Sequence, residues 1–245
     1  MRRLAVAVAF LTRLPVPGAG AMDARAVGRA TAFFPAAGAL LGALLAAARH
    51  ALPDRLPETL QAGLLLALLA LLTGALHLDG LADTADGLGG GRTREDALRI
   101  MRDHAVGAYG ATSLVLLLLV EAAALAALLG RPACDRWIVL AMTASRWAPV
   151  PLARALPYAR PGGGLGAATT EHGGWPELAV ATAVTLGAAA WVGWAGLAAV
   201  GAEALLLLAL GWLFRRRLGG VTGDTLGAAI VLSEALVLVI GVAAG

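Results

Sequence analysis

The chain has 245 residues, 59% of them hydrophobic and 14% charged, against about 45–50% and about 25% in a soluble globule. With a mean hydropathy of +0.79, this composition reads as an integral membrane protein and excludes disorder, collagen and a disulfide scaffold, since Cys134 is the only cysteine. The net charge of +3 rests on 19 basic residues, all arginine, so a lysine Schiff base and a Walker-type phosphate loop are excluded, and the arginines mark membrane-flanking loops, not a nucleic-acid surface.

The first apolar run, residues 4–11 after Arg2-Arg3, has signal-peptide length, but Arg13, Pro15 and Pro17 follow at once. It is read as an interfacial or partly inserted anchor. A spanning helix needs about 20 mostly apolar residues. Seven segments are predicted to span: 31–48, 59–76, 109–129, 137–153, 177–193, 197–214 and 224–244. With a cytoplasmic N-terminus, 14 arginines fall on that side and 4 on the other, with Arg146 inside the fourth segment. The positive-inside rule then places the N-terminus in and the C-terminus out. No strand pattern and no alignable repeat interrupts this, so residues 1–245 read as one all-α, polytopic domain.

The chemistry concentrates after the second span, in His77-Leu78-Asp79-Gly80-Leu81-Ala82-Asp83-Thr84-Ala85-Asp86-Gly87. On a helix, Asp83 lies about 40° from Asp79 and Asp86 about 20° the other way. Three carboxylates on one face repel, and no basic residue stands between them. Hard oxygen donors so placed suit Mg²⁺, Mn²⁺ or Ca²⁺ and not zinc. A solvated acidic turn at a membrane exit is the plainer alternative. His77 points about 160° from Asp79, which disfavours it as a ligand.

Arg94-Glu95-Asp96-Ala97-Leu98-Arg99-Ile100-Met101-Arg102-Asp103-His104 follows with helical period. Asp96, Arg99 and Asp103 then share a face, either as exposed ion pairs or with Asp103 as a metal ligand and Arg99 or Arg102 as phosphate clamps. Glycines at 219, 220 and 223 lead into a helix start near Asp224, which is an anion site or a plain N-cap. Arg146 and Glu234 fall inside apolar segments, where ionisable groups are functional candidates or pair with each other. Glu121 and Glu203 are similar but lack neighbouring motifs. Pro161-Gly162-Gly163-Gly164-Leu165-Gly166 is a weak candidate for a phosphate cradle.

These residues resemble the adenosylcobinamide-GDP ribazoletransferase (cobalamin synthase) family. The carriers are the three-aspartate segment, Phe10-Leu11-Thr12-Arg13-Leu14-Pro15-Val16-Pro17, Phe33-Phe34-Pro35 with Gly38 and Gly42, Ile100-Met101-Arg102-Asp103 with Gly107 and Gly110, Gly220-Val221-Thr222-Gly223-Asp224-Thr225-Leu226-Gly227, and Ser233-Glu234. They are collinear over nearly the whole chain. The chain departs from the family pattern at His104 and Ala105, where a Ser and often an Arg are expected, and at Ile230 and Val231, where an acidic or amide residue is common.

The resemblance implies a Mg²⁺-dependent membrane transferase, with Mn²⁺ as a substitute. A hydroxyl of α-ribazole, or of its 5′-phosphate, attacks the phosphate on adenosylcobinamide in adenosylcobinamide-GDP, and GMP leaves. It implies metal binding by Asp79, Asp83, Asp86 and Asp103, and a catalytic base in Asp86 or Asp83. Phosphate or substrate binding is implied for Arg13, Arg99, Arg102, Asp224 and Thr222, with Arg146, Glu234 and His77 as secondary candidates. It further implies a prokaryotic inner membrane, an aspartate-rich site facing the cytoplasm, and the lipid bilayer as a partner; a homo-oligomer is left open.

The nearest rival is a CDP-alcohol phosphotransferase, but the Arg and the long gap of that motif are missing after Asp79-Gly80. A transporter is a third reading, without convincing inverted repeats.

Overall fold

The computed structural model describes residues 2–17, 19, 22–160 and 166–245. Its elements are helices, and among the described residues the only β-type pairing is a single bridge between Tyr158 and Val221. In chain order they are α1 (Arg2–Leu11), α2 (Ala24–Ala30), a 3-10 turn (Thr31–Phe33), α3 (Phe34–Ala51), α4 (Glu58–Thr73), α5 (Leu76–Gly90) and α6 (Arg94–Ile100). Then come α7 (Ala108–Leu129), α8 (Cys134–Trp147), α9 (Pro149–Ala155), α10 (Ala167–His172), α11 (Trp175–Val192), α12 (Trp194–Leu218) and α13 (Gly223–Ala243).

Five stretches are long and apolar enough to cross a membrane: Ala24–Ala51, Ala108–Leu129, Trp175–Val192, Trp194–Leu218 and Gly223–Ala243. The pair α4 and α5, bent by 90°, makes a sixth if counted as one broken span. The protein is therefore a polytopic helical membrane protein, with five or six such elements where seven were predicted. The missing one is 137–153. That stretch is divided at Ala148 into α8 and α9, because Pro149 has no N–H to continue the ladder. At 14 residues, α8 spans only about 21 Å, and it is buried over most of its surface, as is Cys134 at its start.

α8 packs against α3 and α13 at the centre of the bundle. Gly38 and Gly42 allow the α3 contact: a Cβ at Gly38 would lie 2.1 Å from the Met142 carbonyl oxygen, and one at Gly42 2.6 Å from Val139 Cα. Inside a bilayer, where lipid is as apolar as leucine, such close backbone contact supplies much of the packing attraction. Leu41, Leu45, Leu65, Leu125, Leu128, Ile138, Leu140 and Leu238 fill the space around it. The outer faces of α7 and α12 expose Leu116, Leu119, Leu205 and Leu208, as a lipid-facing surface requires. α1 packs onto the bundle: Val6, Ala7, Val8 and Leu11 are buried against Val27, Ala30, Phe34 and Ala37 of α2 and α3.

The second predicted span, 59–76, ends early, and the way it ends positions the site. Gly74 and Ala75 both adopt left-handed backbone, with φ of 64° and 56°. For alanine this costs about 1–2 kcal/mol, so neighbours must hold it. Ala75 N–H bonds the Ala70 carbonyl at 2.9 Å, and Arg13 N–H bonds the Leu72 carbonyl at 2.7 Å. The Arg13 side chain lies directly over Gly74, where any Cβ would meet Nε at 2.5 Å. α5 therefore leaves at a right angle to α4 and runs across the start of α13.

Candidate active site

Gly80 is the contact point of α5 with α13. A Cβ there would sit 2.8 Å from the Asp224 carbonyl oxygen, so the two backbones touch only because the side chain is absent. The contact brings Asp79 on α5 and Asp224 on α13 to the wall of one cavity of about 400 Å³, also lined by Arg13, His77, Tyr158 and Arg160. Asp83 follows Asp79 by one helical turn and is half-buried.

The first turn of α13 is capped by Thr222. Its hydroxyl accepts Thr225 N–H at 3.2 Å, while the Thr225 hydroxyl accepts Thr222 N–H at 2.8 Å. Asp224 is thus not the N-cap. Its carboxylate is free to accept a hydrogen bond from Arg160 Nη2. Thr222, predicted as a phosphate binder, is fully buried and its hydroxyl serves the helix instead.

Arg160 is the site residue that sequence reasoning missed. The segment that carries it is tied down by Ala159 N–H to the Val221 carbonyl at 2.8 Å and Val221 N–H to the Pro157 carbonyl at 2.9 Å. Arg160 also donates to the Met101 carbonyl at 3.2 Å. Its one sequence signal was its place directly before the glycine-rich stretch, of which residues 161–165 lie outside the described residues. Burial pushes the Tyr158 phenol above its ordinary value, so it stays neutral and able to donate.

Asp86, expected as metal ligand and base, is turned elsewhere. It is buried, and its two oxygens accept Gly107 N–H at 2.7 Å and Gly110 N–H at 2.9 Å. That fixes a negative charge at the N-terminus of α7, where the helix dipole favours one. Asp103 does not continue the α6 face, because α6 stops at Ile100. It is exposed in the turn that follows and accepts Ala105 N–H at 3.2 Å. Among the described residues no three His, Cys, Asp or Glu side chains converge closely enough to hold a metal. The expected set of Asp79, Asp83, Asp86 and Asp103 is therefore not assembled as four protein ligands.

The remaining candidates divide. Arg13 lines the cavity. Arg99 makes an exposed 3.4 Å pair with Asp96, and Arg102 is exposed beside it; neither lines the cavity. His77 is buried against Gly227 of α13 and borders the cavity from α5. Arg146 and Glu234 pair with each other at 2.7 Å, at 1% and 2% exposure. They form a core ion pair and do not line the cavity. Glu121 is buried beside that pair, with one oxygen unpartnered.

These features define a class: a polytopic helical membrane protein whose bent helix and last span build a cavity of mixed charge. The family model described as cobalamin-5-phosphate synthase matches residues 3–242, and the chain belongs to that family. It is 45% identical to an adenosylcobinamide-GDP ribazoletransferase of Pseudomonas aeruginosa, over 98% of this chain and 97% of the relative. It is 39% identical to one of Chlorobaculum tepidum, over 96% and 92%, and 41% identical to one of Chlorobium phaeobacteroides, over 99% and 98%. No solved structure matches the chain.

Proposed function

We propose that this chain joins adenosylcobinamide-GDP to α-ribazole, or to α-ribazole 5′-phosphate, with release of GMP, as the closing step of nucleotide-loop assembly. The observation that carries it is the end-to-end family match over residues 3–242. The geometry supplies suitable chemistry. Arg13 and Arg160 reach the cavity from two sides and would hold the oxygens of the diphosphate, as guanidinium forks do. Asp224 orients Arg160 through their hydrogen bond.

Mg²⁺, with Mn²⁺ as a substitute, would be held by Asp79 and Asp83, with Asp224 flanking. This fits the donors present. Mg²⁺ is bound in such enzymes by one or two carboxylates, together with substrate phosphates and water, and not by an all-protein cage. When bound it neutralises charge developing on the leaving phosphate. The attacking hydroxyl loses its proton to a carboxylate. Both Asp86 oxygens are engaged by backbone amides, which favours Asp83 for that role. Tyr158, neutral and on the cavity wall, donates to a substrate oxygen. Residues 1–245 act as one domain. Arg2, Arg3, Arg13, Arg25 and Arg29, at the N-terminal end of the first span, support a cytoplasmic N-terminus and cavity in a bacterial inner membrane.

The test is GMP release by purified protein in detergent, given adenosylcobinamide-GDP, α-ribazole and Mg²⁺, with and without EDTA, beside Asp83→Asn. Release that needs every component and fails in the variant is expected. A folded wild type that releases no GMP, in detergent and in liposomes alike, would sink the assignment.

A further inference from the structure

A second cavity, which shares no lining residue with the first, lies between α1 and α2. It measures about 280 Å³ and is lined by Arg2, Arg3, Val6, Asp23, Arg25 and Arg29, with Ala26. Arg25 and Arg29 are one turn apart on the exposed face of α2, whose opposite face, Val27, Gly28 and Ala30, is buried. Arg2 and Arg3 come from the first turn of α1 and are exposed, one turn before the buried Val6 and Ala7.

Four guanidiniums thus meet one carboxylate, Asp23, which is already occupied as the N-cap of α2, accepting Ala26 N–H at 2.6 Å. Among the described residues none of the four arginines has a salt-bridge partner. Positive charge concentrated in a concave site without its counter-charge calls for an anion.

We propose that this cavity binds the phosphodiester headgroup of an anionic membrane phospholipid. Three observations favour lipid over nucleotide. No aromatic side chain lines the cavity to stack a base. Leu4, next to Arg3, is exposed at 39%, as an acyl-chain contact would be. α1 and the first turn of α2 also lie at the N-terminal end of the first spanning stretch, Ala24–Ala51, which puts the arginines at the level of headgroups. Arginine suits the role because its fork grips two phosphate oxygens and is weakly hydrated. The site would seat α1 and α2 in the leaflet and so steady the segment after α1 that carries Arg13.

The experiment uses the full chain in phosphatidylcholine nanodiscs with graded phosphatidylglycerol, followed by native mass spectrometry of the lipids retained. Wild type should keep phosphatidylglycerol in preference to phosphatidylcholine. Arg25→Gln/Arg29→Gln should weaken that preference by about thirtyfold, and Arg2→Gln/Arg3→Gln by a similar factor. Because the pairs sit on different helices, a folding defect in one leaves the other as the readout. Equal retention of both lipids, or a preference that neither pair alters, overturns the proposal. Displacement of the lipid by millimolar GMP or inorganic phosphate also overturns it and assigns the cavity to free phosphate.

Discussion

Asp86→Asn separates anchoring from chemistry. In the wild type both carboxylate oxygens accept backbone N–H groups, at 2.7 Å from Gly107 and 2.9 Å from Gly110. The side chain is 8% exposed, so water cannot replace either bond. Asparagine keeps one acceptor and turns an NH₂ group toward the second donor. The charge at the α7 N-terminus is lost as well. A hydrogen bond to a charged group contributes about 1.5–3 kcal/mol, and the charge–dipole term up to about 2 kcal/mol in a partly buried setting. The terms overlap, which gives an expected loss of roughly 2–4 kcal/mol. Unfolding in mixed micelles by SDS titration measures it, with GMP release normalised to the folded fraction at low temperature. The folded fraction should retain most of its turnover and its Mg²⁺ dependence. A variant as stable as wild type but inactive when folded would refute the anchoring role and return Asp86 to the reaction.

Other outcomes follow from the same contacts. Gly80→Ala must push α5 off Asp224, since its Cβ would lie 2.8 Å from that carbonyl oxygen; a shift near 1 Å should lower kcat about a hundredfold, and an unchanged kcat would show that the α5–α13 contact does not align the site. Arg146→Met leaves Glu234 as an uncompensated buried charge, costing about 3–5 kcal/mol, whereas Arg146→Met/Glu234→Leu should recover most of it; equal losses in both variants would contradict a structural pair. Asp135 is partly buried, which raises its pKa, but hydrogen bonds from His50 and Arg49 outweigh this and hold it below the usual carboxylate range. Its contribution is therefore present above the unfolded value near 4 and lost as pH falls through the folded one. Asp135→Asn should flatten that acid loss, by about 1 kcal/mol or less because the pair is partly exposed, as a pH series of unfolding midpoints would show.

What could be read along the chain was whatever depends on neighbours a few residues apart. Apolar runs of about 20 residues predict spans, and α7, α11, α12 and α13 fall where hydropathy put them. The i, i+4, i+7 spacing does place Asp79, Asp83 and Asp86 on one helix, α5. The local alternative for Asp96 and Arg99, an exposed ion pair, also holds. The rest rests on partners that folding brings from far away, and no window of sequence contains them. Asp86 meets amides 21 and 24 residues on, Arg160 meets Asp224 across 64, and Arg146 meets Glu234 across 88. The right angle after Thr73 needs left-handed backbone at an alanine, which local preference opposes and only packing around Arg13 and Leu72 sustains. Local periodicity determined which side chains share a face; the tertiary contacts determined what that face meets, because a carboxylate goes to whichever donors packing leaves unsatisfied within reach.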